Sequence, residues 1–433
     1  MKPVDKKTAR KTALILIAAF CAIAGVSFLV SLFLRGYRFK LEKEQISLTP
    51  TGLLVAASDP KGAPVYIDGK LATATDDTLT LSPKEYQIKI EKDGFLPWEK
   101  KITVKKEVVA QTNAVLFKNA PDLKPLTTTG AVNPTFSPDS LKIVYAVTKA
   151  GQVNKNGIWI LELSQNLPLN KTYSRQIAPF IASVNWEESV FLWSPDGKTI
   201  LLVNKKNEEI TNVYLFESER FTALNQINDV SYRLNLILEN WQKEQEAELK
   251  IKLGKLPEEL SNIASSSAEM VTFSPDEERL FYLATKEATI PDNLIPHPPG
   301  RSTQIEERQI KPNNVYVYNL KEDTNFLIGS AENLNINPDN SADKAKKTNS
   351  ELLTSPSPPP TSLYWLTPNH LLYIDKNKNE IKVVEADSSN RQTVYAGPFE
   401  NGFVFPSPSE KSLIILTSLH SSSSMNLYEV KIR

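Results

Sequence analysis

At 433 residues the chain is too long for one ordinary core and points to two or three domains, on a prior of about 150 residues each. Fifty Lys and Arg stand against fifty Asp and Glu, so no net basic field draws the chain to nucleic acid, and no nucleic-acid partner is expected. A single cysteine excludes an internal disulfide, and His297, His370 and His420 are scattered without a second cysteine, which excludes a Cys/His zinc module.

Residues 12–34 carry no charged side chain and are dominated by Ala, Leu, Ile, Val and Phe. At 1.5 Å per residue they span about 34 Å, enough for a hydrocarbon core of about 30 Å. Lys2, Lys6, Lys7, Arg10 and Lys11 precede the run, while Arg35, Arg38, Lys40 and Lys43 follow it. The folded cargo lies on the C-terminal side, so the reading is a single-pass anchor with a cytoplasmic N-terminus (1–11) and extracytoplasmic domains. The rival is a cleaved signal peptide with Ala22-Ile23-Ala24 as its cleavage site. Cleavage there would leave an apolar stretch up to Leu34 at the new terminus, which favours an uncleaved anchor. Phe20 stands where a lipid-modified Cys21 would need a small neighbour, so Cys21 reads as one more small residue of the helix. Residues 35–50 read as a juxtamembrane linker.

Residues 51–118 read as short strands between Pro, Gly and Asp turns. Leu53-Leu54-Val55-Ala56 precedes Ser58-Asp59-Pro60-Lys61-Gly62-Ala63. Val65-Tyr66-Ile67 then runs into the hairpin signal Asp68-Gly69. Tyr86-Gln87-Ile88-Lys89-Ile90-Glu91 alternates apolar and polar, Asp93-Gly94 turns the chain, and 98–104 alternates again, as a half-buried antiparallel sheet requires. The turn Pro60-Lys61-Gly62-Ala63, followed by Val65 to Lys70, Tyr86, Gly94-Phe95 and Pro97-Trp98, resembles the PEGA domain, a small β-sandwich module of bacterial cell-envelope proteins. Lys61 replaces the family's Glu, and Lys84 stands where the family commonly has Gly. The resemblance implies a spacer or adhesion-type module with no catalytic site.

From 119 to 433 the chain repeats a Ser/Thr-Pro pair that closes a short apolar strand. The pairs are Phe136-Ser137-Pro138-Asp139, Trp193-Ser194-Pro195-Asp196-Gly197, Phe273-Ser274-Pro275-Asp276, Thr367-Pro368-Asn369 and Ser407-Pro408-Ser409. Pro presets the turn, and Asp, Asn and Gly accept its left-handed positions. A strand follows each pair (142–147, 199–203, 279–284, 371–374, 413–416), and then a third, as in Ile158-Trp159-Ile160-Leu161 or Val315-Tyr316-Val317-Tyr318. Fourth, outer strands are expected at 175–178, 221–224, 326–329 and 392–396. Such units cannot bury both faces alone and stack radially. The Ser-Pro-Asp-Gly marker resembles TolB-like, WD40-like β-propeller repeats of bacterial envelope proteins. The expected fold is mainly β: a transmembrane helix, a PEGA-like sandwich and a five-bladed propeller with a helical insertion. The fifth unit ends on its third strand, and 123–128 is expected to supply its outer strand and close the ring. The marker prolines are 57, 80, 93 and 40 residues apart, so the long gaps hold insertions or a degenerate sixth blade.

Residues 228–263 are helical in composition, with Pro257-Glu258-Glu259 opening a second helix, and read as a helical pair on the propeller rim or a partner-binding hairpin. Residues 290–312 form a Pro-rich loop around His297. Residues 332–361 are Asn, Ser, Lys and Pro rich and read as a disordered surface loop.

No catalytic, cofactor-binding or metal-ligating residue is singled out, and no cofactor is expected. There is no Gly-x-Ser-x-Gly elbow. Gly197-Lys198-Thr199 imitates the end of a phosphate loop, but Leu192 stands where its first glycine would be. Asp139, Asp196 and Asp276 sit in the same turn of different units, which is turn chemistry. Trp186 and Trp241 could stack on sugars but read as packing residues. The functional expectation is a non-enzymatic, membrane-anchored envelope protein that binds a protein or a cell-wall glycan. The alternative is an envelope enzyme, lyase- or hydrolase-like, with its site in the propeller funnel.

Overall fold

The computed structural model describes residues 6–34, 38–42, 45–163, 173–207, 209–336, 363–375, 377–400, 403–419 and 424–433. They form two compact units. The first holds the described residues up to Asp93, with Pro97–Leu116 and Pro298–Gln304; the second holds Gly94–Leu96, Phe117–His297 and Ile305–Arg433.

The first unit begins with helix α1, Lys6–Leu34, which starts ahead of the uncharged run because Lys and Arg are good helix formers. Its stretch Leu14–Ser31 has a mean hydropathy of 2.6 and is exposed throughout, so α1 is long and apolar enough to cross a membrane. The segment read as a linker contains an antiparallel hairpin, Arg38–Glu42 with Gln45–Thr49.

A sandwich follows. Its four-stranded sheet runs Lys70–Ala74, Pro64–Ile67, Lys84–Ile90, Trp98–Val104, and its three-stranded sheet runs Val109–Gln111, Gly52–Ala56, Asp77–Leu81. The alternation seen in the sequence becomes alternation in burial: Tyr86, Ile88 and Ile90 are buried, and Trp98, Ile102 and Val104 of the next strand complete their layer. Two pairings depart from the all-antiparallel expectation, because Val109–Gln111 runs parallel to Gly52–Ala56 and Ala114–Val115 runs parallel to Ser58–Asp59. Asp68 and Gly69 both take positive φ, as a two-residue hairpin with the sheet's own twist requires. The two departures from the family pattern each meet an acid. Lys61 Nζ lies 2.9 Å from Asp76, and Lys84 Nζ lies 2.9 Å from Asp68. The hydrogen bond from Lys84 holds the Asp68 carboxyl below its ordinary range.

Pro298–Gln304, expected as part of a free Pro-rich loop, belongs to this unit. The Thr103 N–H donates to Thr303 Oγ1 at 3.2 Å, and Gln304 Nε2 donates to the Lys101 carbonyl at 2.7 Å. A Cβ on Gly300 would stand 2.4 Å from the Val109 carbonyl, so the approach needs glycine there. These partners are about two hundred positions apart in the chain, beyond the reach of local pattern.

The second unit contains five antiparallel sheets in succession and one two-stranded sheet, Ala288–Thr289 with Gln309–Ile310, whose second strand lies within the segment expected as a Pro-rich loop. The first comprises Val132–Phe136, Lys142–Val147, Gly157–Glu162 and Tyr173–Pro179. The second comprises Val190–Trp193, Thr199–Lys206 and Glu209–Glu217. The third comprises Ala268–Phe273, Arg279–Ala284, Asn314–Asn319 and Thr324–Ser330. The fourth comprises Leu363–Thr367, His370–Asp375, Glu380–Glu385 and Gln392–Tyr395. The fifth comprises Val404–Pro406, Ser412–Thr417 and Asn426–Lys431, and its outer strand, Asp122–Pro125, comes from ahead of the first sheet. That strand pairs antiparallel in the register Asp122 to Lys431 through Pro125 to Tyr428. The ring is closed by a strand from the opposite end of the domain, as the repeat count implied.

Residue parity shows the order of packing. Val144, Ala146, Ile158 and Ile160 of the first sheet pack with Phe191, Trp193, Ile200 and Leu202 of the second. The opposite face of the first sheet, with Ile143, Tyr145 and Val147, packs on Phe403, Ile414 and Leu416 of the fifth. Phe281, Leu283, Val315 and Val317 of the third meet Trp365, Leu371 and Tyr373 of the fourth. The fourth and fifth meet through Tyr364 and Phe405, whose rings are 5.0 Å apart. Between the second and third sheets stand helices α2, Leu234–Leu253, and α3, Glu258–Ser266. Leu234 of α2 joins Leu192, Leu201, Val203 and Val213 of the second sheet; Leu253, Leu256, Leu260 and Ala264 join Leu280, Tyr282, Tyr316 and Tyr318 of the third. The helical pair therefore fills a place in the ring between two blades rather than decorating its rim. Five sheets and one helical wedge account for the long gap between the second and third markers.

The expected outer strand at 221–224 does not form, and the second sheet has three strands among the described residues. The chain leaves that edge because Thr222 N–H donates to the Ile177 carbonyl of the first sheet at 2.8 Å. It returns at Val230, whose N–H donates to the Val213 carbonyl at 2.8 Å. Asp229 secures the return, accepting from Asn212 Nδ2 at 2.6 Å and from Ser231 N–H at 2.9 Å. Burial opposes its charge, but the hydrogen bonds from Ser231, Asn212 and Val213 outweigh it and bring its pKa down to about 2. The folded value lies below the unfolded one, so the stabilisation is complete above about pH 4 and fades as pH falls toward 2. Asp229→Asn should remove this acid-side slope from the amide-exchange protection of Val213 and cost less than about 1 kcal/mol at neutral pH, because the site is solvent-screened. An unchanged slope would count against this role.

Of 332–361, residues 337–361 lie outside the described residues. Its first residues are not loop: Leu334 and Ile336 are buried between the third and fourth sheets. Trp186 is buried in the core of the first two sheets and Trp241 packs against the second. His420 lies outside the described residues.

Candidate binding site on the ring

Each Ser-Pro marker builds the same turn. The hydroxyl of Ser137, Ser194 and Ser274 donates to Oδ1 of Asp139, Asp196 and Asp276 at 2.5, 2.7 and 2.5 Å, and accepts the N–H of Lys142, Thr199 and Arg279 at 2.9 Å in every case. The residue three places after each serine (Ser140, Gly197, Glu277, and Glu410 in the fifth unit) has positive φ and donates its N–H back to the serine carbonyl at 2.9 Å. Gly197 thus turns a hairpin, and no phosphate loop forms there. The hydrogen bond from Ser194 holds Asp196 below the usual carboxylate range; for Asp276, burial works against the charge and the bonds from Ser274 and Glu278 prevail. In the fourth unit His370 takes the acid's part, its Nδ1 lying 2.8 Å from Thr367 Oγ1 with the ring edge-on to Phe117 at 5.5 Å. The three aspartates are spent on turns.

The first strand of each sheet is the innermost, and these strands define the middle of the ring. Phe136 and Phe403 are buried in the core between the first and fifth sheets, where Phe405 packs against them with centroids 4.1 Å and 5.1 Å away, and Tyr364 of the fourth sheet reaches Phe405. Two tryptophans tie neighbouring positions together: Trp193 Nε1 donates to the Thr135 carbonyl and Trp365 Nε1 to the Thr272 carbonyl, both at 3.1 Å. Thr135 and Thr272 occupy the same place in their units, two residues before the marker serine. Trp193→Phe keeps most of the packing and loses one bond, so thermal unfolding should show a loss of about 1 kcal/mol; no loss would mean the bond contributes nothing. Glu269, on the innermost strand of the third sheet, has Oε2 buried without a hydrogen bond. Among the described residues no group of three or more His, Cys, Asp or Glu side chains is placed to hold a metal ion.

Beside the innermost strand of the third sheet lies a cleft of about 450 Å³. One wall is α2, through Gln245, Glu248, Leu249 and Lys252; the other is the run Val271 to Pro275 with Glu277. Helix α2 is held at its two ends, by Leu234 and by Leu253, and residues 242–251 between them are exposed on every side. Such a helix bridges between packing sites rather than lying on a face. The sequence showed the helix and the strand; their juxtaposition depends on which sheets flank the insertion, which no local signal carries.

Residues 51–119 match the PEGA domain family, and this segment is a PEGA domain. No match was found among curated proteins. Among solved structures, the chain is similar to a putative TolB from Agrobacterium tumefaciens, at 11% identity and a TM-score of 0.21, over 70% of this chain and 78% of that one. It is similar to TolB from Acinetobacter baumannii at 11% identity and a TM-score of 0.20, over 86% of this chain and 65% of that one. An oligogalacturonate lyase from Vibrio parahaemolyticus is similar at 8% identity and a TM-score of 0.24, over 80% and 86%. At these scores the likenesses carry no argument, and the propeller fold rests on the closed succession of sheets described above.

Proposed function

We propose that the chain is a membrane-anchored cell-envelope protein that presents its PEGA domain and propeller outside the membrane to bind a protein partner or a wall glycan. The observation that carries this reading is the arrangement itself: an exposed apolar helix of membrane-spanning length ahead of a PEGA domain and a succession of sheets whose repeated aspartates serve turns. The exposed apolar helix α1 supports an anchor, and the basic residues ahead of it support an inward N-terminus. Two measurements test this. Crosslinking on intact cells, followed by identification of the crosslinked species, should return a recurrent envelope protein or glycan; none would reject the reading. Protease added to cells whose outer layers admit it should remove the chain beyond about Arg35; a protected propeller would reverse the orientation.

A further inference from the structure

We propose that Pro298–Gln304 is an edge guard: it covers the open side of the PEGA sandwich and keeps strand Trp98–Val104 from pairing with the same strand of a second copy of the chain. The inference stands apart from the binding reading above. Trp98–Val104 ends the four-stranded sheet, and Val109–Gln111 ends the three-stranded one. One segment covers both. The Gln87 carbonyl accepts the Asp68 N–H, so the backbone groups of Gln87 turn away from Trp98–Val104. By antiparallel alternation those of Lys101, its opposite number, and of Thr103 then point out of the sheet. These are the groups that the guard takes. The Thr103 N–H donates to Thr303 Oγ1 at 3.2 Å, and the Lys101 carbonyl accepts from Gln304 Nε2 at 2.7 Å. Gly300 meanwhile lies against the Val109 carbonyl, where a Cβ would stand 2.4 Å from its oxygen.

The guard stops the sheet without extending it. Its bonds to the strand come from the side chains of Thr303 and Gln304, and Pro298 and Pro299 have no N–H to offer a further strand, so no new edge replaces the covered one. Its two stems are pinned together, because Ala288–Thr289 pairs with Gln309–Ile310 and Arg308 Nη1 donates to the Pro291 carbonyl at 2.7 Å. What it excludes follows from the strand it covers. Two copies of Trp98–Val104 related by a two-fold axis at Lys100 set Glu99 against Lys101 and Trp98 against Ile102 on both sides of the axis, opposite charges on one face and apolar groups on the other. These pairs offset the meeting of Lys100 with its own copy. Centring on Lys101 also sets lysine against lysine and gains no opposite-charge pair. The outward backbone groups of Lys101 suit a hydrogen-bonded pair with Glu99. Lys100 then faces Lys100 in a non-bonded pair, with Cα atoms about 4.5 Å apart.

The test uses the full chain in detergent, with Cys21→Ser to remove its single cysteine and Lys100→Cys as a reporter at the axis. Two independent changes open the guard. Thr303→Val with Gln304→Met takes away both bonds and keeps the bulk, and Gly300→Val adds a Cβ that cannot sit against Val109. Under mild oxidation each should raise the disulfide-linked dimer about tenfold or more over the chain with its guard intact, as the loss of two hydrogen bonds allows. Lys101→Cys in place of Lys100→Cys should give less dimer. The Ile88 amide, inside the sheet, should stay protected from exchange in the opened chains, which shows that dimer formation does not come from an unfolded sandwich. An intact chain that crosslinks as readily as the opened ones overturns the guard. So do opened chains that stay monomeric with Ile88 protected, and a dimer that forms better through Lys101→Cys overturns the pairing it is proposed to prevent.

Discussion

Leu126→Pro should destabilise the ring by about 3 kcal/mol, whereas Leu123→Pro, on the same strand, should cost far less. The difference is one of parity. Leu126 N–H donates to the Leu427 carbonyl at 2.8 Å, inside the ladder that joins the two ends of the propeller. By alternation Lys124 also faces inward, while Leu123 and Pro125 face out. The native sequence already places a proline at 125, where its missing N–H removes nothing. Moving that chemistry one residue along takes away a closing bond and disturbs a side chain packed against the core of the first and fifth sheets. Loss of closure also exposes the edge of Asn426–Lys431, which would then be free to pair with other chains. Chemical denaturation of the full chain in detergent measures both variants. Equal midpoints for the two prolines would mean that Asp122–Pro125 does not close the ring.

What could be read from the sequence divides along a physical line. The hairpin Asp68-Gly69, the alternation of 86–91 and 98–104, and the five Ser/Thr-Pro turns are local devices, written in neighbouring residues, and each stands where its pattern placed it. The closing strand was legible because counting strands left one vacancy and one spare apolar run. The outer strand expected at 221–224 does not form because the Thr222 N–H bonds to the first sheet, a partner forty-five positions back. Leu334 and Ile336 were assigned to a loop because a polar, Asn-rich stretch follows them; their burial depends on two sheets that meet only in the folded ring. The candidate groove was hidden for the same reason. Helix α2 and strand Ala268–Phe273 each had a signature, but that the helix bridges two blades follows from the packing order of the sheets.

Asp323→Ala should cost about 1–3 kcal/mol, an appreciable share of the roughly 5–15 kcal/mol that holds an ordinary domain together. Asp323 has no exposed surface, and Arg308, whose side chain is 11% exposed, places Nη2 at 3.1 Å from its Oδ2. The same guanidinium donates to the Asp323 carbonyl and, through Nη1, to the Pro291 carbonyl at 2.7 Å, while the Tyr318 hydroxyl donates to Asp323 Oδ1. Next to this, the Tyr282 hydroxyl donates to Asn325 Oδ1 at 2.9 Å, and Asn325 Nδ2 donates to the Glu307 carbonyl at 2.6 Å. Burial pushes the Tyr282 and Tyr318 phenols well above their ordinary range, so both act as donors at any pH the protein meets. The network fastens the segment around Arg308 to the last hairpin of the third blade. Arg308 keeps Asp292 at 2.9 Å and Glu306 at 3.4 Å when the Asp323 carboxylate is removed, so the cost falls mainly on the buried Tyr318 hydroxyl, which loses its acceptor. Asp323→Asn, which keeps an acceptor for Tyr318, should therefore recover part of the loss. An Asp323→Asn protein as unstable as Asp323→Ala would show that the charge itself is needed, and an Asp323→Ala protein that unfolds at the native midpoint would remove the network from the forces that hold the third blade.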